Sequence, residues 1–164
     1  MTSQKLLEDY FSMPTFGTMF SGLCSAYAIM TDDDNQKGAL SIDIGAGTTE
    51  YTLYHGRTPQ HSGAITVGTN QICNDLSLGL NLDYNRCQQL VIKYGSAISQ
   101  NDGRLRLIEI PGLAGQKDRK IPRSSFETII EVRLRELFEI ILNDLDKHNV
   151  TNLIGNGIIL TGGG

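Results

Sequence analysis

The stretch Asp43-Ile-Gly-Ala-Gly-Thr-Thr49 decides the fold of this 164-residue chain. It ends a segment, residues 39–44, in which apolar side chains alternate with polar ones, the pattern of a half-buried strand. The alternation resumes after the glycines and continues through Tyr51 and Leu53. The stretch therefore predicts a tight glycine-rich hairpin that connects two strands.

The composition of this hairpin suits contact with a phosphate group. Gly45, Ala46 and Gly47 are small enough for their backbone N–H groups to come close to an anion. Thr48 and Thr49 add hydroxyl donors beside them. We expect these five residues to face the phosphates of a ligand, and a tight hairpin that binds nothing is the alternative.

The carboxylate of Asp43 lies at the end of the predicted strand, where it can hold a hydrated Mg²⁺ ion or orient a water molecule. Two other phosphate-binding loops are excluded. A Rossmann loop needs a third glycine and a following helix, whereas this chain has Glu50 and a strand pattern. The sequence GxxxxGK[ST] of a P-loop does not occur.

Downstream of the hairpin the pattern changes from strands to helices. A turn at residues 55–57 precedes a third strand that reaches Val67, so three strands form an antiparallel meander. Helical spacing follows over residues 70–78 and 84–94, and a further strand is predicted over residues 104–110.

A long helix is predicted from Ser124 to about His148, opened by a capping box of Ser124 and Glu127. Apolar residues at spacings of four and three give it one face for a core: Phe126, Ile130, Leu134, Leu137, Ile141 and Leu145. The order of elements predicts an α/β fold in which this helix crosses over the sheet.

The last element, residues 157–164, is an apolar strand that ends in Gly162, Gly163 and Gly164. Ligands of open α/β sheets bind at the carboxyl ends of strands, and glycines allow a flat base or sugar to approach the backbone. We therefore expect these glycines to line a ligand. A flexible chain end is the alternative.

The remaining segments carry weaker signals. Residues 1–20 show no sustained period and predict an ill-defined arm, followed by a short helix over residues 19–30 and a surface turn at residues 32–35. A net charge of −4 argues against a nucleic-acid partner. The basic residues near Pro122 predict a solvated loop: Lys117, Arg119, Lys120 and Arg123.

Cysteine and histidine usage predicts neither disulfides nor a metal centre. The cysteines form no CxxC pair and the histidines no HExxH motif, so reduced, buried thiols and no metal-ligand set are expected at Cys24, Cys73, Cys87, His55, His61 and His148. Signal-peptide and membrane-spanning patterns are missing, which predicts a cytoplasmic chain.

A DxGxGTT hairpin followed much later by an apolar strand and TGGG resembles the actin, Hsp70 and sugar-kinase superfamily. Within that superfamily the chain is most similar to the FtsA family, actin-like proteins of bacterial cell division. The matching stretches are Cys24–Asp34, Gly38–Glu50, Ile65–Leu76, Tyr94–Ala97 and Gly157–Gly164.

The resemblance implies a partial actin-like (RNase H-like) lobe with a mixed sheet, and a chain that is a fragment covering mainly the second lobe. Its inner sheet subdomain would comprise residues 21–69 and 150–164, and its outer helical subdomain residues 70–149. Asp43 would bind Mg²⁺ through a water molecule. Residues 45–49 would contact the phosphates of ATP, and Gly162 to Gly164 would line the adenosine.

Two positions depart from the pattern of the family. A Glu and a Lys that often contact the ribose are replaced by Gln88 and Val91, of which only Gln88 can hydrogen-bond to a sugar. We therefore expect weak ATP binding, with half of the nucleotide site on this chain, no catalytic residue, and weak hydrolysis only with a second lobe.

In its full-length form such a protein would lie in the cytoplasm at the inner face of the membrane at the division site. It would link the FtsZ ring to the membrane through regions absent here and self-associate into filaments. The alternatives are an MreB- or pilus-assembly-type actin homologue, a sugar-kinase-like or reactivase lobe, and an interaction module without nucleotide.

Overall fold

The computed structural model describes residues 3–99, 105–112 and 117–164, and a four-stranded sheet forms its centre. Six strands occur in the described residues, four in this sheet and two in a separate hairpin. They are β1 (Ala39–Ile44), β2 (Thr49–His55), β3 (Thr58–Ile65), β4 (Leu107–Ile110), β5 (Arg119–Pro122) and β6 (Gly157–Thr161). The sheet order is β3-β2-β1-β6, with β1 to β3 antiparallel and β6 parallel to β1. The predicted mixed sheet with a three-strand meander is confirmed.

The described residues contain six α-helices. They are α1 (Ser3–Phe11), α2 (Ser21–Ile29), α3 (Asp32–Lys37), α4 (Thr69–Leu80), α5 (Tyr84–Tyr94) and α6 (Arg123–Lys147). Within the described ranges, no helix combines the length and the apolar character needed to cross a membrane.

The long helix α6 contributes to two hydrophobic cores. Phe126 and Ile130, near its start, pack with α4, α5 and the separate hairpin β4-β5. Leu137, Ile141 and Leu145 pack on β1 and β2 of the main sheet. The predicted apolar face of this helix is confirmed, and the helix couples the sheet to the smaller helical layer.

Residues near the amino terminus are more regular than predicted. The expected arm contains the helix α1, and the expected turn at residues 32–35 is the beginning of the helix α3. Thr31 and Asp34 form a reciprocal capping box that opens α3, and the aspartates of its first turn lie where the helix dipole favours negative charge. Thr31 and Asp34, three positions apart, are the sequence signal for this cap.

Two predictions around Pro122 are wrong. The basic segment includes the strand β5, which pairs with β4, so it is not an irregular loop throughout. The helix α6 begins at Arg123, directly after Pro122, and no side chain caps it. Glu127 does not return to Ser124 but is buried in an ion pair with Arg123.

Candidate functional site

The parallel pairing of β1 and β6 brings the two glycine-rich segments together. Asp43, at the end of β1, lies beside Thr161, at the end of β6. The hairpin after β1 and the loop after β6 therefore leave the sheet at the same end, the carboxyl end of these two strands. Open α/β sheets bind their ligands at this end.

The hairpin is closed by a hydrogen bond of 2.9 Å from the Gly45 N–H to the Thr48 carbonyl. Between them, Ala46 and Gly47 are exposed. Within the described part of the chain, the N–H groups of Ala46 and Gly47 donate to no protein acceptor. Neighbouring free N–H groups at a turn are suited to an anion.

The two threonines of the hairpin have different surroundings. Thr48 is exposed at the turn. Thr49 is fully buried, and its hydroxyl donates to the carbonyl of Val67 at 2.8 Å. The Thr49 hydroxyl thus joins β2 to the segment before α4, and of this pair only Thr48 presents its side chain to solvent.

The first turn of α4 holds the hairpin from the other side. The N–H groups of Thr69 and Asn70 donate to the carbonyls of Gly45 and Ala46 at 3.1 and 2.8 Å. The backbones approach so closely that a Cβ on Gly68 would lie 2.5 Å from the Gly45 oxygen. The hairpin and the start of α4 therefore form one unit.

The glycine loop after β6 folds against the end of β1. The N–H of Gly164 donates to the Ile44 carbonyl at 2.9 Å. Gly162 has a φ of 107°, and a Cβ there would lie 2.2 Å from the same oxygen. A Cβ on Gly163 would meet nothing within 4 Å. Gly163 thus presents open backbone to the cleft that it lines.

These segments line an open cleft of about 450 Å³, within the usual size of a small-molecule site. Its lining residues are Ala46, Thr69, Asn70, Cys73, Gln88, Val91, Ile92, Gly163 and Gly164. The structure brings together four of the predicted site residues, namely Ala46, Gln88, Gly163 and Gly164.

The helix α5 supplies the third wall of the cleft. Gln88 is exposed, and its side-chain amide lies 3.5 Å from the hydroxyl of Tyr84. Tyr84 in turn donates to the side chain of Asn70 at 2.8 Å, which connects α5 to the start of α4. Val91 leaves this wall partly apolar. Sequence reasoning missed Asn70 and Tyr84.

Asp43 lies beside the cleft and is half-buried. Its Oδ2 atom accepts a hydrogen bond of 2.5 Å from the Ser25 hydroxyl of α2. Its Oδ1 atom faces the glycine loop, 2.7 Å from where a Gly162 Cβ would be. A carboxylate held at a strand end is an oxygen donor that fits Mg²⁺, either directly or through water.

The three cysteines differ in access to solvent. Cys73, in the cleft wall, and Cys87, on α5, are buried as predicted, and burial raises the pKa of both thiols. Cys24 is exposed, which corrects the prediction of three buried thiols.

We expect one thiol per chain to react rapidly with Ellman's reagent at pH 8, because Cys24 alone is accessible and the other two thiols are buried and resist ionisation. All three should react in guanidinium chloride. A Cys24→Ser variant serves as the control and should lose the rapid phase. A rapid phase that persists in this variant would contradict the burial of Cys73 and Cys87.

A polar cluster outside the cleft involves residues far apart in the sequence. Nε2 of His61 on β3 donates to Oδ2 of Asp144 on α6 at 2.6 Å, and the rings of His61 and His148 lie 4.2 Å apart between centroids. The hydroxyl of buried Tyr51 also donates to Asp144 at 2.5 Å. The hydrogen bonds from Tyr51 and then His61 lower the pKa of Asp144.

The sequence predicted no metal-ligand set among the histidines, and that prediction stays untested, but the fold brings together His61, Asp144 and His148, each of which can offer a ligand atom. The spacing of Asp144 and His148, one helical turn apart, was the available sequence signal. His61, the third member, lies beside Asp144 only because α6 packs on the sheet.

Comparison with known sequences identifies one family. A sequence profile described as Cell division protein FtsA matches residues 40–162. The Cell division protein FtsA of Neisseria meningitidis serogroup B is 34% identical over 146 residues, which cover 88% of this chain and 35% of that protein. The Cell division protein FtsA of Escherichia coli K12 is 26% identical over 152 residues, which cover 88% of this chain and 36% of that protein. The chain spans about a third of the length of these relatives.

Solved structures share the fold at low sequence identity. MreB5 of Spiroplasma citri bound to ADP has a TM-score of 0.77 at 19% identity, covering 97% of this chain and 52% of that chain. A MamK double helical filament has a TM-score of 0.63 at 15% identity, covering 87% of this chain and 45% of that chain. The predicted actin-like fold is confirmed.

Proposed function

Because the chain belongs to the FtsA family of cell-division proteins, we propose that it forms one side of an ATP site in an actin-like assembly protein. The observation that carries this proposal is the convergence of the hairpin, the start of α4, α5 and the glycine loop on one cleft. Each of these segments contributes backbone or polar groups of the kind that nucleotides require.

The free N–H groups of Ala46 and Gly47, with the Thr48 hydroxyl, bind the phosphates. Gly45 contributes through the closing bond of the hairpin, and Thr49 by fixing β2 to Val67. The exposure of Ala46, Gly47 and Thr48 and the burial of Thr49 support these roles.

The adenosine lies along Gly162, Gly163 and Gly164, with Gln88 near the ribose. Asp43 holds Mg²⁺ through water, and the ion supplies charge neutralisation to the phosphates when bound. Support comes from MreB5 of Spiroplasma citri, a structural neighbour crystallised with ADP and with AMPPNP.

Affinity for nucleotide is low in this chain. The groups that line the cleft contact one side of the ligand, and Val91 offers no hydrogen bond to the ribose. The chain is therefore a nucleotide-binding assembly element, because its groups contact the nucleotide from one side only. Weak ATP hydrolysis requires a second lobe.

In the whole protein, nucleotide state sets the closure of the lobes and thereby filament contacts. The partner is FtsZ, whose ring the protein links to the inner face of the membrane from the cytoplasm, through segments other than those described. The filament formed by MamK, which shares the fold, supports self-association.

A titration of the chain with Mg-ATP tests the nucleotide site. We expect a Kd on the order of 1 mM. An Ala46→Asp variant should bind at least about tenfold more weakly, because one added negative charge would face the phosphates. Ala46 is exposed, so the variant is expected to fold normally.

The matched control is Asn152→Asp, which makes the same charge change at an exposed position outside the cleft. It should bind like the parent chain. Equal affinity of the Ala46→Asp variant and the parent would place the nucleotide elsewhere, and lack of binding to a complete FtsA protein carrying this lobe would refute the ATP proposal.

Gln88 and Val91 support a second candidate, an interaction module of the same fold without nucleotide. This module would bind its protein partner with equal affinity in the presence and absence of Mg-ATP. The FtsA match disfavours the MreB-type, pilus-assembly and sugar-kinase alternatives.

A further inference from the structure

The cluster of His61, Asp144 and His148 joins the edge strand β3 to the carboxyl-terminal end of α6, and none of the three lines the nucleotide cleft. Each offers one ligand atom, and these atoms lie within 4.8 Å of one another. We propose that the three residues bind a transition-metal ion, with Zn²⁺ as the ion that this donor set favours.

The donor set determines the class of ion. Two imidazole nitrogens and one carboxylate oxygen are typical ligands of Zn²⁺, whereas Mg²⁺ prefers oxygen donors only. A tetrahedral Zn²⁺ with bonds of about 2.1 Å holds its ligands roughly 3.4 Å apart. His61 Nε2 lies 2.6 Å from Asp144 Oδ2, and all three ligand atoms lie within 4.8 Å of one another, so small side-chain rotations bring them to this separation.

The metal ion would replace the proton of the hydrogen bond between His61 and Asp144. A proton on Nε2 now connects the imidazole to the carboxylate. Binding of Zn²⁺ displaces this proton to solvent, and both groups become metal ligands. A small rotation of each side chain opens the contact, and a water molecule completes the fourth position.

Neighbouring groups already orient these ligands. Tyr51, 3% exposed, donates its hydroxyl to Asp144 Oδ2 at 2.5 Å. Nδ1 of His148 donates to the main-chain carbonyl of Asp144 at 2.8 Å and lies 3.6 Å from Oδ1 of the same residue, so the imidazole is held beside the carboxylate. Such outer contacts fix the tautomer and orientation of metal ligands. Half of the His148 side chain is exposed, which leaves a path for the ion.

The consequence of binding is a bridge between segments that are 83 positions apart at His61 and Asp144. The ion ties the edge strand β3 to the end of α6. Because the unfolded chain lacks this assembled site, Zn²⁺ raises the temperature of unfolding. The site is independent of the nucleotide proposal.

The test is a calorimetric titration of the untagged chain with ZnCl₂ in excess Mg²⁺, in a Cys24→Ser background that removes the exposed thiol. We expect one Zn²⁺ per chain and a higher unfolding temperature. His61→Gln and His148→Gln should each weaken binding at least tenfold, and Tyr51→Phe about tenfold. The control is His55→Gln, which removes the histidine outside the cluster and should bind like the background chain.

His148→Gln is the decisive variant, because His148 is half-exposed at the end of α6 and its replacement should leave the fold intact. Circular dichroism confirms folding of each variant. Background-like Zn²⁺ affinity in folded His148→Gln would overturn the proposal. So would a folded background chain that takes up no Zn²⁺ at millimolar concentration.

Discussion

An Arg123→Met variant is expected to lose about 3 kcal/mol of the free energy of unfolding. Its partner Glu127 is 1% exposed, and the Arg123 Nε atom lies 2.7 Å from a Glu127 oxygen. Removal of the guanidinium takes away a charged partner that lies 2.7 Å from a buried carboxylate, and breaking a buried ion pair costs far more than breaking an exposed one. Urea denaturation at pH 7 measures the loss.

The same helix offers a matched control. Arg135 pairs with Glu131 at the same i,i+4 spacing and the same distance of 2.7 Å, but the Arg135 side chain is 71% exposed. Arg135→Met should cost less than about 1 kcal/mol. The double variant Arg123→Met, Glu127→Met should lose less than Arg123→Met alone, because it also removes the buried carboxylate. Equal losses in the two single variants would contradict the argument from burial.

This ion pair matters for the candidate site through α5. A second nitrogen of Arg123 reaches the carbonyl of Tyr94, the last residue of α5, at 3.5 Å. The pair therefore lies between the start of α6 and the helix that carries Gln88. Loss of Arg123 is expected to loosen the third wall of the cleft as well as the fold.

Local patterns explain why most of the fold could be predicted. The alternation through Leu40 and Ile42 reflects a sheet that buries one face on α6, and the four-three spacing of Leu137 and Ile141 reflects the same interface from the helix. Both signals lie within a few residues. The glycines of the hairpin and of the final loop are likewise a local signal, because glycine allows another backbone to approach closely.

The rest of the site could not be predicted because it depends on contacts between distant segments. Ser25 reaches Asp43 only because α2 packs on the sheet, and Tyr84 reaches Asn70 only because α5 packs on α4. The spacing of Ser124 and Glu127 predicted a capping box, but Glu127 is buried and pairs with Arg123. The burial of Glu127 depends on packing that the local spacing does not reveal.

A Gly68→Ala variant is expected to lose about 3 kcal/mol of stability and at least tenfold in Mg-ATP affinity. The added Cβ would lie 2.5 and 2.6 Å from the carbonyl oxygens of Gly45 and Ala46. Those oxygens accept hydrogen bonds from the first turn of α4, so neither can move without breaking a bond. The hairpin must separate from α4, and Ala46 then loses its position in the cleft wall.

Gly47→Ala separates this effect from a general cost of adding a methyl group to the hairpin. A Cβ on Gly47 would meet nothing within 4 Å, and its φ is not positive, so stability should be unchanged or rise by up to about 1 kcal/mol. Urea denaturation and Mg-ATP titration of both variants give the comparison. If Gly68→Ala keeps parental stability and affinity, the hairpin and α4 are not one unit, and the phosphate position proposed for Ala46 and Gly47 loses its structural support.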